Sequence, residues 1–272
     1  MDLVIAKLIM RLAKKRNCNM AVLTEKQIKY GFDYYHKDDA RPKSVVEVSE
    51  YDGEDKLIIN CTQLDEGYSA KDKKRIWLEW CDFLVNNPDT FTELMFCTRM
   101  PQELFDAVCA QRRLKKLHIK WGVYPDISKL ENLQELEYLH IGSGRSVSSL
   151  EPISRLVNLV ALSIENFQQI DDYAPLANLK HLESLALEGD FAAPKILKVQ
   201  SLEFLRHMKQ LRFFSLLTAK VIDKDYSPVL ELNNLEHLTL KACKEVKQLY
   251  PQLIKLPKLK YGTVLERPEL YE

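Results

Sequence analysis

The sequence predicts an α/β solenoid: a curved stack of short parallel strands with helical turns behind them. Three observations carry this expectation. The pattern apolar-x-x-apolar-x-apolar begins at Phe91, Leu114, Leu136, Leu159, Leu182, Leu211 and Leu235, in steps of 23, 22, 23, 23, 29 and 24 residues. Within each copy, apolar residues alternate with others, as in a strand that buries one face. Apolar pairs such as Ile153-x-x-Leu156, Leu176-x-x-Leu179 and Leu253-x-x-Leu256 recur between the strands, and Pro152, Pro175, Pro228 and Pro251 stand at matching places where the chain turns back.

No single copy can stand alone. Ordering a residue costs about 1–2 kcal/mol of backbone entropy, whereas each buried aliphatic returns only about 1.5–3 kcal/mol. The five or six aliphatics of a 23-residue block therefore need stacked neighbours to share a core. Strands pack more closely than the segments behind them, which places the sheet on the concave side.

The copies "LVNLVALSIENFQQIDDYAPLANL" and "LKHLESLALEGD" resemble the leucine-rich repeat family, in particular the short-repeat, internalin-like bacterial type. The resemblance covers roughly residues 91–265, about seven to eight repeats, with a degenerate last copy at Leu259 where Gly262 replaces the middle apolar residue. It implies a horseshoe with short helices or 3-10 turns on its convex face, a non-enzymatic protein-binding role and a bacterial source. The family's turn Asn or Cys is matched only by Cys243; Gly122, Gly144, Phe167, Asp190 and Ala219 occupy its other places. Other groups are expected to satisfy those turns.

Four segments follow in chain order: an extension (1–19), an α/β cap (20–90), the repeats (91–265) and a tail (266–272). Leu3, Val4, Ile5, Leu8, Ile9 and Leu12 recur at helical spacing opposite Lys7, Arg11, Lys14 and Lys15, which predicts a basic amphipathic helix over 1–16. The charges interrupt and follow the apolar run, unlike a secretory signal. This segment alone offers a membrane contact, and Met20 is an alternative start. "SVVEVSEY-DGED-KLIINCT" reads as a hairpin turning at Asp52-Gly53. Ser69-x-x-Asp72 reads as a capping box opening a helix whose Ile76, Trp77, Trp80, Phe83 and Leu84 cover the first repeat. Two irregularities interrupt the array. Ile127, Leu130, Leu133 and Leu136 hold an extra three-residue step, predicting a longer helix. "GDFAAPKILKVQ", spanning 189–200, predicts a protruding loop and a second candidate binding surface, followed by a helix over "SLEFLRHMKQL".

Composition narrows the function classes. Lys plus Arg and Asp plus Glu number 39 each, so no net field favours nucleic acid. The six cysteines (18, 61, 81, 97, 109, 243) form no CxxC pair, and the economical reading is reduced thiols in a cytoplasmic protein. No GxSxG, HExxH, P-loop or GxGxxG stands in its required context. No cofactor is expected.

The outward side chains of the strands form three columns. The first is Glu93, Lys116, Tyr138, Ala161, Ser184, Phe213 and His237; the second is Met95, His118, His140, Ser163, Ala186, Ser215 and Thr239. The third holds Cys97, Lys120, Gly142, Glu165, Glu188, Leu217 and Lys241. Small residues in the middle, with Trp121, Tyr138 and the histidines at one end and Phe213, Leu217 and His237 at the other, predict a trough with aromatic shoulders. Such a face suits capture of a protein segment. The candidate partner-binding residues are Lys116, His118, Lys120, Trp121, Tyr138, His140, Glu165, Glu188, Phe213, Leu217 and His237. Trp121, Tyr138 and Phe213 are the expected hot spots, with Glu165 and Glu188 selecting charge. The reading is an adaptor or an inhibitory, immunity-like partner; a secreted or surface effector is the alternative. A more distant alternative is a metal-dependent enzyme at His118 and His140, which share a column on adjacent strands about 4.8 Å apart.

Overall fold

A computed structural model describes residues 22–190 and 195–272. The amphipathic helix expected over 1–16 lies outside the described residues.

Among the described residues nine strands form one parallel sheet, in chain order. They are β1 (Lys43–Val45), β2 (Lys56–Ile59), β3 (Glu93–Phe96), β5 (Lys116–Ile119), β7 (Tyr138–Ile141), β8 (Ala161–Glu165), β9 (Ser184–Glu188), β11 (Phe213–Leu217) and β13 (His237–Leu240). The register is the expected one: Lys116 pairs Tyr138, Tyr138 pairs Ala161, Ala161 pairs Ser184, and Ser184 pairs Phe213. Inward residues Leu117, Leu139, Leu162, Leu185, Phe214 and Leu238 are all fully buried behind it. This is the leucine-rich repeat architecture.

The segments behind the sheet are α-helices at Gln102–Val108, Glu151–Ser154 and Lys244–Leu253 and short 3-10 turns at Ser128–Asn132, Ala174–Asn178, Glu203–His207 and Ser227–Glu231. A 3-10 turn repeats every three residues, so side chains at i and i+3 eclipse. Leu130, Leu133 and Leu136 each donate an amide to the carbonyl three residues earlier, and Leu176, Leu179 and Leu182 do the same. The three-residue series at 127–136 is therefore the common geometry of the array, and the longer helix expected there is a five-residue 3-10 turn. The helix expected over "SLEFLRHMKQL" is likewise the 3-10 turn Glu203–His207.

Two further expectations are corrected. β1 and β2 pair in parallel, Ser44 with Ile58, so Asp52-Gly53 does not turn a hairpin. The chain instead crosses behind the sheet through a 3-10 turn at Val48–Glu50, and both strands extend the solenoid. Residues placed in a protruding loop include β10 (Leu197–Val199), which pairs with β12 (Ala219–Val221); β4 (Met100–Pro101) and β6 (Gly122–Val123) pair in the same way. These small ladders brace the chain beyond the ends of the main strands.

The first repeat is covered as expected by a long helix (Ala70–Asn86), with Ile76, Trp80 and Leu84 fully buried. Ser69 Oγ accepts from the Asp72 amide at 3.1 Å, and the Trp80 indole donates to the Val46 carbonyl. Buried Gln111 ties this helix to the array: its amide nitrogen donates to the Leu84 and Asn87 carbonyls, and its oxygen accepts from the Phe91 amide. At the other end Tyr261 bridges to His237, and the residues read as a tail place Tyr271 in the core against Thr263. Gly142 marks a close approach, since a Cβ there would lie 2.0 Å from the Lys120 carbonyl oxygen. The turn carbonyl of Gly142 accepts from the Tyr124 hydroxyl, one of the substitutes for the missing asparagine.

Candidate functional site

The concave face holds a segment of the chain itself. Residues 22–36 lie on it, built around a short helix, α1 (Glu25–Tyr30). Thr24 and Gln27 form a capping box at its start, and Gly31, at φ 92°, ends it. Leu23, Ile28 and Phe32 point into the trough and pack with Val160, Ala161, Ala186 and Phe213, flanked by Tyr138 and Tyr261. The small residues of the middle strands make this possible, because a bulkier floor would leave a helix no room. The sheet separates this apolar cluster from the main core.

Polar clamps hold the segment at both ends. Tyr35 donates to Glu93 Oε1 at 2.9 Å and accepts from Lys116 Nζ at 2.7 Å, while Lys116 also pairs with Glu93 at 2.9 Å. Arg212, held between Glu183 and Glu236, donates to the Leu23 carbonyl. The Tyr261 hydroxyl donates to Glu25, and Asp33 Oδ2 lies 3.1 Å from His140 Nδ1.

Covering the face shifts its titratable groups. Burial pushes the His118 imidazole down to about 3, with repulsion from His140 adding to it, and pushes His237 down to about 4. Burial alone would raise the Asp33 carboxyl, but the hydrogen bond and charge of His140 outweigh it and hold the group below the usual carboxylate range. Burial raises Glu165 and Glu188. Ser184 is fully buried in the first column, and its Oγ has no hydrogen-bond partner among the described residues. Leaving such a hydroxyl unpaired costs about 1–3 kcal/mol.

The candidate residues are thus only partly brought together. Tyr138, Phe213, His118, His140 and His237 lie beneath the segment, with Phe32 and Tyr138 ring centroids 6.0 Å apart. Lys116 belongs to its clamp, and Glu188 accepts from Ser215. Lys120 is exposed, and Glu165 and Leu217 are half-buried at the third column. Trp121 is not with the other two aromatics. It lines a separate cleft of about 550 Å³ beyond the strand ends, with Arg145, Asn166 and Lys195. The sequence reading missed the covering segment altogether, although Thr24-x-x-Gln27 followed by Gly31 is a legible capped helix.

The histidine pair lies where the register puts it, with rings 4.2 Å apart and only 12° from parallel. Ring nitrogen lone pairs lie in the ring plane, so stacked imidazoles do not converge on one ion. Among the described residues no group of three or more His, Cys, Asp or Glu is placed to hold a metal. Ser163 Oγ and Asp33 both meet Nδ1 of His140, whereas a nucleophile–base–acid relay needs them on opposite ring nitrogens.

No protein-family model matches the sequence, and no curated protein matches it. Similar solved structures include an internalin of Listeria monocytogenes at 18% identity, covering 76% of this chain and 51% of that one, with a TM-score of 0.49. Internalin C2 of the same species matches at 17% identity over 67% of this chain and 83% of its own, with a TM-score of 0.44. A leucine-rich repeat protein of Leptospira interrogans matches at 16% identity over 75% and 64%, with a TM-score of 0.37. This chain thus spans about half the length of the first internalin, 51%. With one strand and one turn per repeat in a single parallel sheet, the chain has the leucine-rich repeat fold.

Proposed function

We propose that the chain is a non-enzymatic protein-recognition module that binds a partner protein through its concave face, as an adaptor or inhibitory partner. One observation carries this reading: the face already accommodates a polypeptide segment, using apolar anchors in a small-residue floor and charged clamps at its ends. That combination of buried anchors and a polar rim is how proteins recognise one another. The cytoplasm is the proposed compartment, supported by free thiols at Cys61, Cys81, Cys97, Cys109 and Cys243.

Affinity capture of the tagged full chain in its native organism, read by mass spectrometry, tests this. The variant Lys120→Glu/Glu165→Lys/Leu217→Asp alters the exposed or half-buried residues of the third column and is expected to lose the partner. Lys129→Glu/Lys209→Glu alters the convex side and is expected to keep it. A partner kept by the first variant and lost by the second sinks the concave-face reading.

A further inference from the structure

The covering segment has the features of a bound ligand rather than of a structural layer. It adds no strand to the sheet, and its helix bonds are local: Ile28 donates to Thr24 and Gly31 to Gln27. A helix of six residues is too short to persist without a surface to dock on. Its apolar side chains join a cluster of their own, and the main core behind the sheet is complete without them. An exposed stretch including Lys37, Asp38, Ala40 and Arg41 tethers it to β1. Ser184, whose register partners Ala161 and Phe213 lie against the segment, keeps a buried Oγ with no hydrogen-bond partner among the described residues. These features describe a docked element that can leave while the solenoid stays folded.

We propose that residues 22–36 are an intramolecular ligand that occupies the recognition face, and that the partner displaces them with a short amphipathic helix of the same chemistry. That helix carries apolar side chains at the places of Leu23, Ile28 and Phe32, followed directly by a carboxylate at the place of Asp33. Ala161, Ala186 and Phe213 receive the apolar residues, and the His118–His140 column receives the carboxylate. The tether keeps the resident segment at an effective concentration on the order of millimolar, so a free segment competes poorly until the resident one is weakened. This inference rests on the protein-recognition reading and names the chemistry of the partner.

The probe is a fluorescent synthetic peptide of residues 22–36, titrated into the full-length chain. The wild type is expected to bind it at least tenfold more weakly than Ile28→Asp/Phe32→Asp, whose own segment no longer docks. The peptide carrying Asp33→Asn is expected to bind that variant about fivefold more weakly than the native peptide. Equal binding by wild type and variant overturns the proposal, as does a variant that loses the solenoid's near-ultraviolet circular dichroism or exchanges segments in a dimer. Hydrogen exchange of the wild type needs no variant: the Ile28 and Gly31 amides are expected to exchange at least a hundredfold faster than those of Leu162 and Leu185. Exchange of all four at one rate contradicts a segment that opens by itself. If the peptide fails to bind a folded variant while capture still depends on Lys120, Glu165 and Leu217, the inference falls and the recognition reading stands. If no captured protein depends on those residues, the reading beneath it falls.

Discussion

Asp33 Oδ2 lies 3.1 Å from Nδ1 of His140, which joins a carboxylate of the covering segment to the histidine column of the sheet. The contact sits where two recurring Leu-His-Ile strands bring His118 and His140 ring to ring. A repeated motif that looks like a candidate ligand pair thereby becomes a docking point for a side chain from a distant part of the chain. It also fixes the orientation of the segment, since Phe32 beside it must then face Tyr138.

Replacing Asp33 with Asn keeps the shape and removes the charge. Asp33 is about one-third exposed, so screening limits the loss to about 1 kcal/mol of docking free energy. Hydrogen exchange of the Ile28 and Gly31 amides is expected to speed up about fivefold, a factor of RT arithmetic, while exchange at Leu162 stays unchanged. Faster exchange throughout the sheet contradicts this.

Phe32→Ala and Leu162→Ala both remove a buried apolar side chain, yet they are expected to act on different units. Leu162 lies in the main core, where such a truncation costs about 2–5 kcal/mol and lowers the unfolding midpoint. Phe32 lies in the separate cluster, so its loss is bounded by the docking free energy and frees the segment. Denaturant unfolding followed by circular dichroism should move the midpoint clearly for Leu162→Ala and little for Phe32→Ala. Equal shifts contradict two separable clusters.

Docking is expected to weaken on mild acidification. Burial holds His118 near 3 and His237 near 4, below the ordinary histidine value of 6.5. Once the segment lifts, both rings meet water and take up protons, so their contribution to docking is complete above pH 6.5 and is lost as pH falls toward 4 and 3. Asp33, held low by His140, acts in the same direction, but only below the usual carboxylate value of 3.8. Glu165 and Glu188, raised by burial, act in the opposite direction once they begin to take protons, while Lys116, whose pKa is raised by its bonds to Tyr35 and Glu93, stays charged. Just below pH 6.5 the two histidines dominate, and each weakens docking by up to about tenfold per pH unit. Exchange rates of the Ile28 amide, corrected for intrinsic pH dependence, should therefore rise between pH 7 and about 5.5. Unchanged rates contradict the assigned burial of the two rings.

Gly142→Ala tests the turn geometry. The new methyl would lie 2.0 Å from the Lys120 carbonyl oxygen, so neighbouring coils must separate. A loss of about 3 kcal/mol is expected, read as a lower unfolding midpoint. A neutral effect contradicts the close approach.

The strands and their register were legible because two periods coincide: alternation of two within a strand and steps of 22 to 24 between copies, broken once by a step of 29. Any slip would have turned Leu139 or Leu162 outward, so one register alone buries the aliphatics. The β1–β2 pairing was not legible. An Asp-Gly pair between apolar runs signals a tight turn, whereas the parallel sheet that overrides it is a property of the whole stack. The covering segment shows the same limit at the site. Thr24, Gln27 and Gly31 announce a capped helix, but nothing local says which distant surface Leu23, Ile28 and Phe32 will cover. The small residues Ala161, Ser163, Ser184 and Ala186 were legible as one floor, and the segment that lies on it was not read at all.

Lysine cross-linking of the full chain with its captured partner tests most directly whether the concave face is where the partner binds. Free, the chain should show a Lys29–Lys260 cross-link, because Lys29 lies over the Tyr261 ring at 5.6 Å. Bound, that link should fall away, and Lys116 and Lys120 should join the partner. Retention of the Lys29–Lys260 link in the complex, with partner links at convex Lys129 and Lys209 instead, would contradict it.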